Sequence, residues 1–458
     1  MVAKPVPTLL SVLEVFRPAL TEPGFANLVV IFAGWVLTPG THAITEALVI
    51  TQVSGVIHHE RFHRFFSRGT WEPDELGRLL FTRLLAQLPG GIHVVIDDTL
   101  AAKKGPQVFG LGCHLDAVRS TKKHKVFAFG HVWVVLAVLV RVPFSDRTWA
   151  LPILFRLYRN RKECKKNQGV YFKKTELARQ MLAVICSWTG ARKVTVAVDS
   201  GYCNQTVLKN QPTRLVFFGA MRPDAVLTRP LSPCASCDRS QKRCSRHRRS
   251  GRPCKRGKRM LSPEQIACNS RHAWETCRLW MYGQQRTVVY KTVVAQWYVA
   301  AGEQPLRVVV VRCTTGRIPY RVYFSTDSTL TAPEVLLGYS ERWGIEVAFR
   351  ELKQVLGFAD SSARKKEAVE RTAPFVGLTY TVLVLWFLEG ASKLGVKTMP
   401  VRPWYGHKRG LCFNDVLRSA QVVLAPCDIL DPGRDDANLR NIRPKLPAPS
   451  VAPRKRAA

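Results

Sequence analysis

The sequence predicts an α/β fold: a core of strands and helices, interrupted by a β-rich insertion and preceded by a helical N-terminal region. Three observations carry this. Residues 1–90 repeat apolar positions at mixed three- and four-residue spacing. Residues 91–214 run strand, further strands, helix, strand. Residues 215–328 have strand composition with turn signals between the runs.

In chain order, LLSVLEVFRPAL, ANLVVIFAGWVL, THAITEALVITQVSGV and DELGRLLFTRLLAQL read as helices separated by Pro and Gly. IHHERFHRFFSRGTW gathers His, Arg and aromatic residues, which suits phosphate contact and equally a helix–loop junction; His58, His59 and His63 give no metal spacing. This N-terminal region is expected to be a DNA-binding domain. GIHVVIDDT is an apolar run ending in Asp97 and Asp98. KVFAFGHVWVVLAVLVRV is continuous and β-branched, as in a strand buried on both faces, and TWALPILFRLYRN adds another. ELARQMLAVICSWTG reads as a helix stopped by Gly190, and KVTVAVDSGY as a strand ending in Asp199. Active groups on such sheets favour the C-terminal strand edges, where these aspartates fall. Beyond the insertion, residues 329–400 return to helical texture, and residues 401–458 end in a basic tail, disordered by composition from about Pro432.

Lys and Arg number 69 against 33 acidic residues, a formal charge of +36. Such a chain repels itself unless a polyanion neutralises it, and nucleic acid is the commonest such partner. The most apolar runs, Val126–Val140 and Phe375–Leu388, fall short of the ~20 residues of a spanning helix and read as buried core. MVAKPVPTLLSVLEVF lacks a signal-peptide pattern, and thirteen cysteines without a framework suggest reduced thiols, so the expected location is cytoplasmic, with the nucleoid.

The stretch YSERWGIEVAFRELK places Tyr339, Arg342, Glu346 and Lys353 within about one sixth of the circumference of a helix turning ~100° per residue. Apolar residues cover the opposite side. Three acidic positions, Asp97 or Asp98, Asp199 and Glu346, stand out in so basic a chain. Carboxylates from distant segments suit a pair of hard cations for phosphodiester chemistry.

Tyr339, Arg342, Glu346 and Lys353, at spacings of three, four and seven, resemble the Y-R-E-K signature of cut-and-paste DDE transposases from bacterial insertion sequences. IDDT resembles that family's first Asp motif and AVDSGY its second. The 147 positions from Asp199 to Glu346 leave room for the β-rich domain inserted in members with a split core. The resemblance implies an RNase H-like catalytic core and Mg2+-dependent cleavage and transfer of transposon-end DNA, with Mn2+ as a substitute. It makes Asp97, Asp199 and Glu346 the catalytic metal ligands. The D-x-T register favours Asp97, while Asp98 fits an Asp-Thr register, and strand alternation points the two to opposite sides. It also gives Tyr339, Arg342 and Lys353 contacts to double-stranded DNA, at terminal repeats and target. Synapsis of two ends implies a homodimer. A nuclease of similar fold that does not join strands, and a DNA-binding protein without catalysis, are the competing readings.

Between Lys242 and Arg259 stand ten Lys or Arg and no acid, with Arg252, Lys255 and Arg256 at the heart of a basic DNA-contacting loop. Cys234, Cys237, Cys244 and Cys254, with His247 nearby, lack a second tight pair, so reduced thiols are favoured over a zinc site. Lys103 and Lys104, after the first aspartates, lie in a loop that either approaches DNA or is simply exposed. Trp297 is a candidate for base stacking or an ordinary packed Trp.

Overall fold

The computed structural model describes residues 9–88, 90–105, 107–230, 255–313, 319–391 and 410–425. Helices α1 (Leu9–Leu13), α2 (Glu22–Leu37), α3 (Ile44–Ile50), α4 (Glu60–Ser67) and α5 (Pro73–Leu85) come first. Strands β1 (Ile92–Ala102), β2 (Gly112–Leu115), β3 (Phe127–Arg141) and β4 (Thr148–Tyr158) follow, then α6 (Arg161–Lys166), α7 (Lys174–Thr189), β5 (Val194–Val198), α8 (Gln205–Leu208) and β6 (Leu215–Met221). After residue 255 come α9 (Pro263–Cys268), β7 (Glu275–Met281), β8 (Gln284–Gln296), α10 (Tyr298–Ala301), β9 (Pro305–Arg312) and β10 (Tyr320–Ser325). The chain continues through α11 (Ala332–Ser340), α12 (Trp343–Gln354), α13 (Lys366–Trp386) and α14 (Phe413–Leu424).

Local chemistry sets several boundaries. Thr331 caps α11, accepting from the Glu334 N–H while the Glu334 carboxylate accepts from the Thr331 N–H. Gly190 stops α7 at a φ of +59°, which its missing Cβ permits. Tyr282 and Gly283, both at positive φ, form the two-residue turn that joins β7 to β8.

All ten described strands belong to one mixed sheet in the order β2-β3-β1-β5-β6-β10-β9-β8-β7, with β4 paired to β3. Strands β1, β5 and β6 run parallel. β10 joins antiparallel to β6, so the strands of the expected β-rich insertion extend the core sheet. The N-terminal helices likewise do not stand apart. They share one hydrophobic cluster with β1, β3–β5, α12, α13 and α14. Trp35 donates to the Leu356 carbonyl at 3.0 Å, and Arg371 to that of Phe66 at 3.0 Å. A segment with its core merged into its neighbour's cannot be a freely moving domain. A second cluster beneath α11 gathers Val216, Phe218, Leu279, Val309 and Val335.

β3 is buried from Gly130 to Val140 on both faces, as its β-branched run anticipates. Phe375–Leu388 falls largely within α13. That helix is long and apolar enough to cross a membrane by length and composition, but most of it is buried within the protein. The eight described cysteines are free thiols. The Cys234, Cys237, Cys244, Cys254 and His247 group, Arg252, and the tail from Pro432 lie outside the described residues.

Candidate functional site

β1 pairs with β5 from Ile92 through Ile96, whose partner is Val198. One step further on each strand stand Asp97 and Asp199, side by side at the C-terminal edge of β5. The apolar run GIHVVIDDT predicts a strand that ends at its aspartates, but β1 continues to Ala102. Its second neighbour β3 still pairs with it there, Asp97 lying opposite Val135. The edge that exposes Asp97 is therefore the end of β5, not of β1.

Alternation then separates the two candidate first aspartates. Asp98 accepts from Lys174 Nζ at 2.6 Å and from the Tyr202 hydroxyl at 2.8 Å. Asp97 accepts from the Asp98 N–H at 2.8 Å and from Arg342 Nη1 at 3.0 Å. Nη2 of the same guanidinium donates to Glu346, joining two carboxylates of the candidate site. Burial pushes the Asp97 carboxyl up to about 7 against the opposing charge of Arg342, with Asp98 and Asp199 adding to the rise.

The segment carrying Arg342 and Glu346 differs from expectation. It is two helices, α11 and α12, with a tightened joint. The N–H groups of Arg342, Gly344 and Ile345 bond three residues back rather than four. Tyr339 thus stands in the last turn of the first helix, its ring 4.7 Å from that of Tyr323 and beneath the Arg342 guanidinium. Burial raises its phenol above the ordinary range. Lys353 lies in the last turn of α12, where burial lowers its ammonium and the charge of Asp116 opposes that shift. Gly344 lets α12 lie on β4: a Cβ there would meet the Thr148 carbonyl oxygen at 2.8 Å.

Other sequence candidates fall elsewhere. Strand register carries Trp297 to the edge of the sheet opposite the acids, where it is half-buried with its ring against Phe324. Lys255 and Arg256 share that far edge, near Glu303 and the Tyr298 ring respectively. Lys103 is turned inward to the carbonyls of Ala359 and Ser361, which ends its candidacy for DNA; Lys104 is exposed.

The same register brings the β7–β8 turn to the acids' edge, a placement the sequence reading missed. A cavity of about 580 Å³ opens there between Trp280, Tyr282, Trp343, Arg278 and Arg147. The signal was present in WMYGQQ, whose Tyr-Gly pair between strand runs marks a tight turn with aromatic residues at its tip.

The donors in this cluster are carboxylate oxygens, which suit a hard divalent cation. Crowding of Asp97 by Asp98 and Asp199 is what such a cation relieves. Among the described residues no three His, Cys, Asp or Glu side chains converge as a ready-made metal site, and Arg342 stands between Asp97 and Glu346.

Residues 16–287 match the family model described as DDE superfamily endonuclease, and residues 277–394 match that described as archaeal putative transposase ISC1217. No curated protein matches the chain.

Proposed function

Because the chain belongs to the DDE superfamily endonucleases and is an insertion-sequence transposase by both family matches, we propose that it cuts its element out at the terminal repeats and joins it to target DNA. In this reading the cut-and-paste reaction depends on Mg2+, held by Asp97, Asp199 and Glu346. What supports it is one relationship: Asp97 and Asp199 emerge side by side from parallel strands, and Arg342 links Asp97 to Glu346 across the sheet edge.

Members of this superfamily use divalent metals, generally Mg2+. When bound, such ions supply the charge that stabilises the attacking and leaving oxygens of the phosphodiester. The chain's own residues supply the rest. Arg342, released from its carboxylates, presents a planar fork to a phosphate, and its Nε, buried and without a partner, is a further donor. Tyr339 supports the guanidinium from below, and Lys353 offers a point charge along the strand. Lys255 and Arg256 meet DNA away from the acids, on the opposite edge. Two ends held at once call for two copies of the chain on DNA.

The test is incubation of purified protein with Mg2+ and DNA carrying the repeats that flank its gene. Cleavage at the repeat ends followed by joining is expected. Cleavage without joining would replace this reading with that of a nuclease.

A further inference from the structure

The β2–β3 hairpin has no role in the site described above. Its register pairs Cys113 with Phe129 and Leu115 with Phe127, so these four side chains share one face. All are exposed: Phe127 is 64% accessible, Phe129 62% and Leu115 46%. Two phenyl rings this open on adjacent face positions are unusual, since such residues are ordinarily buried.

The placement is equally specific. β3 runs antiparallel to β1, so its first residues project past the C-terminal end of β1, which itself continues five residues beyond Asp97. Asp97 lies opposite Val135, and positions 127, 129, 131, 133 and 135 alternate onto one face. Phe127 and Phe129 therefore extend the sheet face that bears Asp97. Where the hairpin's strands enter their connecting loop, the charge of Asp116 favours the charged form of Lys353.

Between these strands runs DAVRSTKKHKV. It carries Arg119, Lys122, Lys123 and Lys125, all exposed, against the single acid Asp116, which Arg119 approaches at 3.7 Å. A second copy of a chain with net charge +36 would bring like charge to this tip, whereas a polyanion neutralises it. A cluster of cations followed directly by exposed aromatic rings is the composition that follows a nucleic-acid strand, phosphates on the cations and bases on the rings.

We propose that this hairpin is a second DNA-binding site: Lys122, Lys123 and Lys125 hold the phosphates and Phe127 and Phe129 pack on unpaired bases. It extends the DNA path from the acids past Lys353. The proposal rests on the transposase reading for its ligand but not on the catalytic assignment, so it is tested by binding without divalent metal.

Fluorescence anisotropy would follow labelled single-stranded and duplex DNA over a salt series, with wild type, a Lys122→Ala/Lys123→Ala/Lys125→Ala variant and a Phe127→Ala/Phe129→Ala variant. All five positions are exposed, so both variants should fold, as circular dichroism checks. The lysine variant is expected to reduce the slope of log affinity on log salt by about 2 to 3. The phenylalanine variant is expected to bind single strands about tenfold more weakly and duplex within about threefold of wild type. Wild-type binding with unchanged slope and single-strand affinity in the variants would overturn the hairpin site alone. Absence of wild-type binding would overturn the DNA reading with it. Conversion of a wild-type dimer to monomer by the phenylalanine variant, at unchanged DNA affinity, would assign the face to a second copy and overturn the proposal.

Discussion

Asp97 and Arg342, 245 positions apart in the chain, meet at 3.0 Å where the end of β5 faces the start of α12. The same guanidinium holds Glu346, so one cation stands between two acids of the proposed catalytic set. Replacing it with Ala leaves both carboxylates without their counter-charge. Arg342→Ala is expected to cost about 2 kcal/mol of stability without metal. It should also cut cleavage at least 100-fold, because the proposed phosphate grip is lost. Mg2+ should raise the melting temperature of the variant more than that of wild type, since cation and guanidinium neutralise the same acids. Thermal melts with and without Mg2+ check this; equal shifts would separate Arg342 from the metal site.

The neighbouring aspartates give a sharper contrast. Asp97 faces Arg342 and Asp199, while Asp98 is occupied by Lys174 and Tyr202. Asp97→Asn is expected to abolish Mg2+-dependent cleavage, at least 1000-fold. Asp98→Asn should retain it within about tenfold, with some loss of stability from the weakened Lys174 pair. Cleavage of repeat-end DNA by the two variants side by side measures the difference. The reverse order would move the metal to Asp98.

The strands that lead to Asp97 and Asp199 were legible from residues, but not the continuation of β1 past Asp97 nor the architecture around the acids. β-branched runs announced β1, β3 and β5, and period-two alternation was enough to send Asp97 and Asp98 to opposite sides. The joint at residues 340–343 was not legible, because the apolar period of α11 and α12 continues through it and both linking residues keep helical backbone angles. The merging of the expected insertion with the core was hidden for another reason. It depends on β6 pairing with β10 across about a hundred residues, and strand composition says nothing of which partner a strand takes. The burial of the N-terminal helices against α13 is likewise a long-range fact.

Acid should destabilise the protein through its buried histidines. Burial lowers His131 to about 4, and its Nε2 contacts the Phe109 carbonyl at 2.8 Å. Burial lowers His42 and His114 in the same direction. Between about pH 6.5 and 4 the unfolded chain therefore binds protons that the native state does not. The histidines' contribution to stability is full above about 6.5 and lost as pH falls toward 4, while Asp97, raised to about 7, contributes in the opposite direction. His131→Gln is expected to remove up to one proton, about 1.4 kcal/mol per pH unit, from that slope. Denaturant unfolding at stepped pH measures it, and an unchanged slope would show that His131 does not titrate this way.

Gly344 tests how closely α12 must lie on the sheet. On an exposed helix Gly→Ala stabilises by about 1 kcal/mol. Here the new Cβ would press on the Thr148 carbonyl at 2.8 Å, two residues before Glu346. Gly344→Ala is expected to lower the melting temperature by several degrees and cleavage by at least tenfold, as α12 is pushed off β4. A more stable, fully active variant would show that the contact relaxes freely.

Whether the acids gathered at this edge perform the cutting is read from Glu346→Gln with repeat-end DNA and Mg2+. The exchange removes one charge at nearly constant shape from a half-exposed side chain. Cleavage is expected to fall by at least 1000-fold while binding to the ends stays within a few fold. Wild-type cutting by Glu346→Gln would remove Glu346 from the catalytic set.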